Sequence, residues 1–236
     1  MRTKDLKALV ESQGQKYSEI LGIDLSEGKE EEIFKWFLAS LLFGAPITES
    51  SVIKTYRRFQ QRGVLTPAQI LKTGWDGLVK ILDEGSYARY DFKTADKLLE
   101  VARNLTEQYN GSLCLIHSAS SDARDLENRL KTLAKGVGNV TVSIFLRELR
   151  SIWKRADPNP TALVVLAARE FGIVKNEATA EQALEQLQAF WAKNRILEKS
   201  FVNFETALVR LGKDFRRRKK QRVSSVNNGH SARTVP

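Results

Sequence analysis

One cysteine, one methionine and five prolines stand among 236 residues, and nowhere does the chain run about 18 apolar residues together. The lone Cys114 rules out an intramolecular disulfide, a four-cysteine zinc site and a cysteine-held iron-sulfur cluster. Without a long apolar run there is no candidate membrane span. The opening MRTKDLKALVESQGQ alternates charged and apolar residues instead of building the apolar core of a signal peptide, so the expectation is a soluble, intracellular chain. His117 and His230 are far apart and lie in no Cys/His cluster, so no metal-ligand spacing is present. No Gly-x-Ser-x-Gly elbow surrounds Ser118 to Ser121, which reads as a polar loop or helix cap rather than a nucleophile.

Stretches that alternate with period two are scarce as well, and what fills the chain is helical spacing. Leu6, Leu9 and Val10 open the pattern, followed by Ile33, Phe34, Phe37, Leu38, Leu41 and Leu42, then by Val52, Ile53, Tyr56 and Phe59. Segments 70–82, 93–109, 123–134, 140–153, 161–171, 180–194 and 204–211 continue it, which predicts an all-α fold of nine or ten helices. Turn chemistry breaks the pattern at Gly44 to Thr48, Gly63 to Pro67, Glu84 to Asp91, Ser118 to Ser121, Gly136 to Gly138 and Asp157 to Pro160. Residues 1–212 are expected to pack as one compact unit with room for a cleft between two helical lobes. Residues 213–236 read as a basic, disordered tail.

The net charge is +10, and from Lys213 onward eight Lys and Arg face a single Asp, so most of the excess lies in that tail. A basic balance points to a polyanion, nucleic acid before an anionic membrane surface. The run RRRKKQR at 216–222 fits non-specific DNA contact and a solvated helix end equally well.

The most informative stretch is LAKGVGNVTVSIFLRE at 133–148, a two-glycine turn between two helical segments. Such a turn leaves backbone N–H groups near Gly136, Gly138 and the following helix start without intrahelical partners, and those donors can hold a phosphate. Lys131 and Lys135 would add charge for a nucleic-acid backbone. The same KGVG also fits a plain helix C-cap.

With ADPNPTALVVLAAREFG at 156–172, this stretch resembles the helix-hairpin-helix and catalytic-aspartate signature of the endonuclease III type of DNA glycosylases. WFLASLLFGAPITESSVIKTYRRF is similar to that family's early helix pair, and ILDEGSYARYDFKTADKLLEVARNL to its glycine-aromatic turn and the basic helix after it. FETALVRLGKDFRRRKK resembles the approach to the family's cluster loop, without the cysteines. The likeness covers most of residues 30–172 in the family's order. It implies a two-lobed helical fold (HhH-GPD) with the hairpin near 123–153, and a DNA phosphate site formed by Lys135, Gly136, Val137, Gly138, Asn139, Val140 and Thr141.

The resemblance also gives Asp157, nineteen residues beyond Gly138, the role of the family's catalytic carboxylate. Breaking the bond between base and sugar builds positive charge at C1′, which a carboxylate stabilises while water attacks. Read alone, Asp157 before Pro158 also fits a helix N-cap. Bifunctional members carry a Schiff-base lysine two residues after the second glycine. Val140 stands there, so hydrolytic base release without efficient strand nicking is implied, with Lys131, Lys135 or Lys154 left as amines that could reach an abasic sugar. Pro46 occupies the place of the family's wedge glutamine.

Phe43, Tyr87 and Arg89 are further candidates for wedge, pocket or strand contact, with Tyr90 beside them. Trp36 and Phe37 fit a base pocket less well than the core. The implied activity is excision of a damaged or mispaired base from double-stranded DNA in base excision repair, by a monomer needing no cofactor. The rivals are a non-catalytic hairpin protein that only binds DNA, a bifunctional glycosylase/AP lyase with a displaced lysine, and a helical interaction module with a fortuitous KGVG.

Overall fold

Apolar spacing produces helices along the whole chain. A computed structural model describes residues 3–230, with the side chains of Thr3, Lys220 and residues 222–230 outside the description. Among the described residues there is no strand, and twelve helices follow one another: α1 (Thr3–Gln13), α2 (Tyr17–Leu21), α3 (Glu30–Phe43), α4 (Glu49–Gln61), α5 (Pro67–Glu84), α6 (Asp91–Tyr109), α7 (Leu113–Ala119), α8 (Ala123–Lys131), α9 (Asn139–Glu148), α10 (Ala162–Glu170), α11 (Ala180–Lys193) and α12 (Phe201–His230). The fold is all-α.

The two helices beyond the expected ten are α2 and α7, of five and seven residues, too short to display a period. Distant carboxylates hold their first turns instead. Glu148 accepts the N–H groups of Tyr17 and Ser18 at 2.9 and 3.1 Å. Glu30 accepts those of Leu113 and Cys114 at 2.7 and 3.0 Å, together with the Ser112 hydroxyl at 2.6 Å. A negative group at a helix start satisfies donors that the helix itself cannot.

Contacts divide the chain into two compact units. One comprises residues 17–158; the other joins the N-terminal residues through Lys16 to those from Asn159 onward. In the first, α3 packs against α4, α6, α7 and α9, and every residue from Ile33 to Leu42 except Lys35 is buried. A helix apolar on all sides has to be enclosed. The Trp36 indole N–H donates to the Phe145 carbonyl at 3.0 Å, and Phe37 meets the Phe145 ring edge-on with centroids 4.8 Å apart. Trp36 and Phe37 are therefore core side chains.

In the second unit α12 packs on α10, α1 and α11 around Leu6, Val10, Ala167, Leu187, Phe204 and Leu208. Trp191 stacks on Phe204 with centroids 5.5 Å apart. The helix does not stop near residue 212 but continues through the basic run to His230, with Arg216 to Lys219 exposed. The rest of the expected tail, 231–236, and the His230 side chain lie outside the described residues. No helix among the described residues is long and apolar enough to cross a membrane.

Cys114 shows what such packing does to a side chain. Burial, followed by the neighbouring Glu30 carboxylate, pushes its thiol up to about 12. The thiolate is the reactive form, and the higher nucleophilicity of a basic thiolate offsets only part of its scarcity. Native Cys114 is expected to alkylate with iodoacetamide at pH 8 roughly two orders of magnitude more slowly than in the urea-unfolded chain. A native rate within a few-fold of the unfolded one would contradict this placement.

Candidate nucleic-acid interface

The hairpin forms because one residue of its turn is apolar and its neighbours are not. Leu126, Leu130, Leu133, Ala134 and Val137 are buried, and drawing the Val137 side chain inward leaves Lys135, Gly136, Gly138, Asn139 and Val140 at the surface. Gly136 takes φ +91°, a conformation that L side chains rarely adopt, and the Val137 N–H closes the turn on Ala134 at 3.1 Å. The Lys135 N–H is taken by the Glu100 carboxylate at 3.1 Å. Among the described residues, the N–H groups of Gly136, Gly138, Asn139 and Val140 donate to nothing, and Gly138, the cap residue of α9, offers no side-chain cap. Four exposed donors at a helix start form an anion-binding surface.

The flanking charges differ from the sequence reading. Lys131 pairs with Glu127 at 3.3 Å, whereas Lys135 is exposed and has no ion-pair partner among the described residues. A third lysine, which sequence spacing did not single out, lies against the turn. The half-buried stem of Lys97 on α6 passes Gly136 with its Cε 3.4 Å from where a Cβ would sit. Burial holds its ammonium below the ordinary lysine range. Its signal was available only in three dimensions, because α6 and the hairpin are nearly forty residues apart in sequence.

Thr141 is buried beneath the turn that joins α3 to α4. A Cβ at Gly44 would overlap the Thr141 hydroxyl, so only glycine lets that turn seat on the start of α9. Pro46, which is exposed, follows two residues after that contact on the same turn. Phe43, by contrast, is half-buried against Tyr17 and Trp36, with centroids at 4.8 and 6.5 Å. The next loop is fastened to α4: the Thr55 hydroxyl donates to the Gly85 carbonyl at 3.0 Å and the Lys54 ammonium to the Ser86 hydroxyl at 2.7 Å.

Within that loop Tyr87 is wholly buried and donates its hydroxyl to the Leu42 carbonyl at 2.6 Å, while burial raises its pKa. It is a core tyrosine with no face for a base or a strand, which corrects the expectation drawn from GSYARY. Alternation along the loop turned it inward. Arg89 is exposed, its guanidinium 5.6 Å from the centroid of the Tyr90 ring.

Asp157 lies in the irregular segment between α9 and α10. The latter begins only at Ala162 with Thr161 as its cap residue, so Asp157 caps no helix. Its carboxylate is about half exposed and paired with Arg150, whose second terminal nitrogen donates to the Pro158 carbonyl at 2.6 Å. Arg150 stands two residues past α9. One guanidinium thus ties the acid to the end of the hairpin's second helix.

His117 is a packing residue, stacked on Trp153 at 4.8 Å, with its pKa pushed down by burial and by Arg155. The Ser118–Ser121 segment leads into a helix cap, since Asp122 accepts the Asp125 N–H and Asp125 reaches back to the Ser121 N–H, both at 2.8 Å. Among the described residues no three His, Cys, Asp or Glu side chains gather closely enough to hold a metal ion. Compared with known proteins, the chain matches no family model, no curated protein and no solved structure.

Proposed function

We propose that this chain is a cluster-less helix-hairpin-helix DNA glycosylase of base excision repair, acting as a monomer on double-stranded DNA that contains a damaged or mispaired base. The observation that carries the reading is one connected piece of structure: a hairpin with four exposed, unused N–H donors, whose second helix ends beside an arginine that holds an exposed carboxylate. The hairpin, with Lys135 and Lys97, grips phosphates. Pro46, on the turn seated against α9, enters the base step from which the target is extruded. Asp157 stabilises the positive charge that grows at C1′ as the base departs and orients the attacking water.

Val140 occupies the position where a bifunctional enzyme would present its amine, and it is 55% exposed, facing outward with an alkyl side chain. Lys131 is engaged with Glu127. Base release by hydrolysis, leaving an intact abasic strand, is the expected outcome. The competing reading, a hairpin protein that binds DNA without chemistry, draws on Val140 and Pro46, both departures from the resembled pattern.

An excision screen separates them. Duplexes carrying uracil, thymine glycol, 8-oxoguanine or hypoxanthine, and methylated genomic DNA, are incubated with the protein and analysed with and without alkali. Alkali-dependent nicking on at least one lesion supports the glycosylase. Salt-dependent binding with no release on any of them establishes the non-catalytic protein instead.

A further inference from the structure

Outside the hairpin, the most unusual surface lies on α4. Residues 50, 53, 54, 57, 58 and 61 follow the i, i+3, i+4, i+7 progression of one helix face, and Ser50, Ile53, Lys54, Arg57, Arg58 and Gln61 line a groove of about 400 Å³ there. The opposite face, Val52, Thr55, Tyr56 and Phe59, is buried. Three of the six lining residues are cationic and none is acidic. Two of the cations are held by neutral groups, Lys54 by the Ser86 hydroxyl at 2.7 Å and Arg58 by the Gln61 amide oxygen at 2.8 Å. Arg57 is exposed and has no hydrogen bond or ion pair among the described residues. Arg62, the residue just past the helix, is by contrast paired with Glu84 at 2.7 Å.

Like charges placed together without a counter-ion repel, and such a cluster calls for an anion supplied from outside. Lys54 and Arg58 stand one helical turn, about 5.4 Å, apart, so neighbouring phosphates of a strand can each meet a cation. Ile53 offers an apolar surface to the sugars between them. The chain also leads directly from the contact with α9 into the groove. The α3–α4 turn that carries Pro46 seats on Thr141 at one end, and Thr48 at its other end caps α4 through the Ser51 N–H at 3.2 Å. A duplex opened at Pro46 with one strand on the hairpin would present its other strand to α4.

We propose that the α4 groove is a second DNA-binding site, which takes the phosphodiester backbone of the strand opposite the excised base through Lys54, Arg57 and Arg58. This rests on the hairpin-bound duplex proposed above. The site supplies affinity for duplex over single strand, a task the hairpin alone does not perform.

The test compares the full chain with a Lys54→Ala, Arg57→Ala, Arg58→Ala variant and with Arg57→Gln alone, by fluorescence anisotropy. The probes are a duplex bearing a tetrahydrofuran abasic analogue and its lesion strand alone, each titrated between 50 and 200 mM salt. Each lost phosphate contact removes roughly 0.9 from the log–log salt slope. The triple variant is expected to lose between about 2 and 3 in slope, with at least a tenfold loss of duplex affinity, and the single variant about 1. Lesion-strand affinity changes less than about threefold, since that strand keeps its hairpin contacts. An unchanged duplex slope in Arg57→Gln, whose side chain supports nothing else, overturns the proposal, as does an equal loss on the single strand. The glycosylase reading is scored separately by the excision screen. Slope loss without base release keeps the groove and removes the enzyme; base release with an unchanged slope does the reverse; a wild-type chain without duplex affinity removes both.

Discussion

Asp157→Asn is expected to slow base release by two to four orders of magnitude while leaving duplex affinity within about threefold, the size of effect that follows when one preorganised charge is removed from a reacting centre. The substitution keeps shape and removes charge. It is expected to cost the fold about 1–2 kcal/mol: the carboxylate is about half exposed and caps no helix, the Arg150 side chain is only 10% exposed, and an asparagine amide oxygen can still accept from its guanidinium. Arg150 retains its second hold on the Pro158 carbonyl, so the end of α9 keeps its local geometry. Single-turnover excision on whichever lesion the screen identifies gives the rate, anisotropy the affinity and thermal melting the stability. Full retained activity removes Asp157 from the mechanism. A parallel loss of binding and melting temperature assigns it a structural part instead, which its exposure argues against.

What could be read from sequence and what could not divides along a physical line. The enclosed helix α3 announced itself through Ile33, Phe34, Phe37, Leu38, Leu41 and Leu42, and the hairpin turn through two glycines flanking a valine that has to be buried. Both are local signals. The helices α2 and α7 were invisible because what holds their first turns, Glu148 and Glu30, lies about 130 and 80 residues away. A glycine-started aromatic loop such as GSYARY suggests an exposed tyrosine, and only the Leu42 carbonyl beneath it, remote in sequence, explains why Tyr87 turns inward. The cationic stripe on α4 is hidden for the opposite reason: the apolar stripe of Val52, Tyr56 and Phe59 accounts for the helix by itself, and charges on an exposed helix face carry no periodic signal of their own. The pairing of α1 with α12, which makes the chain's two ends parts of one unit, has no local signal at all.

The buried pair at the end of α9 carries the largest expected effect on stability. Glu148 is wholly buried and satisfies the first two N–H groups of α2, and the Arg147 guanidinium lies 4.0 Å from its Oε1 with the side chain 3% exposed. Glu148→Ala leaves those two donors and that cation without an acceptor, which is expected to cost about 3–5 kcal/mol. Arg147 is a different case. Its Nε and Nη2 already lack hydrogen-bond partners, the Glu148 carboxylate being too far for one, and its guanidinium sits 5.9 Å from the centroid of the Tyr17 ring, so the intact fold already bears the cost of a poorly solvated charge. Arg147→Met replaces that charge with an apolar side chain of comparable length and is expected to change stability by less than about 1.5 kcal/mol in either direction. The double variant should then be less unstable than the two singles added, by about 1–3 kcal/mol, because removing the cation also removes the main penalty of losing the acid. Urea unfolding followed by tryptophan emission is suited to the measurement, since Trp36, Trp75 and Trp153 lie in the unit that holds the pair and only Trp191 lies in the other. If Arg147→Met costs as much as Glu148→Ala and the two simply add, the arginine is a structural partner in its own right, and its unsatisfied nitrogens are not the burden described. If the cycle couples as expected, α9 is anchored by its acid, and the hairpin that α9 carries depends on a carboxylate that never reaches the surface.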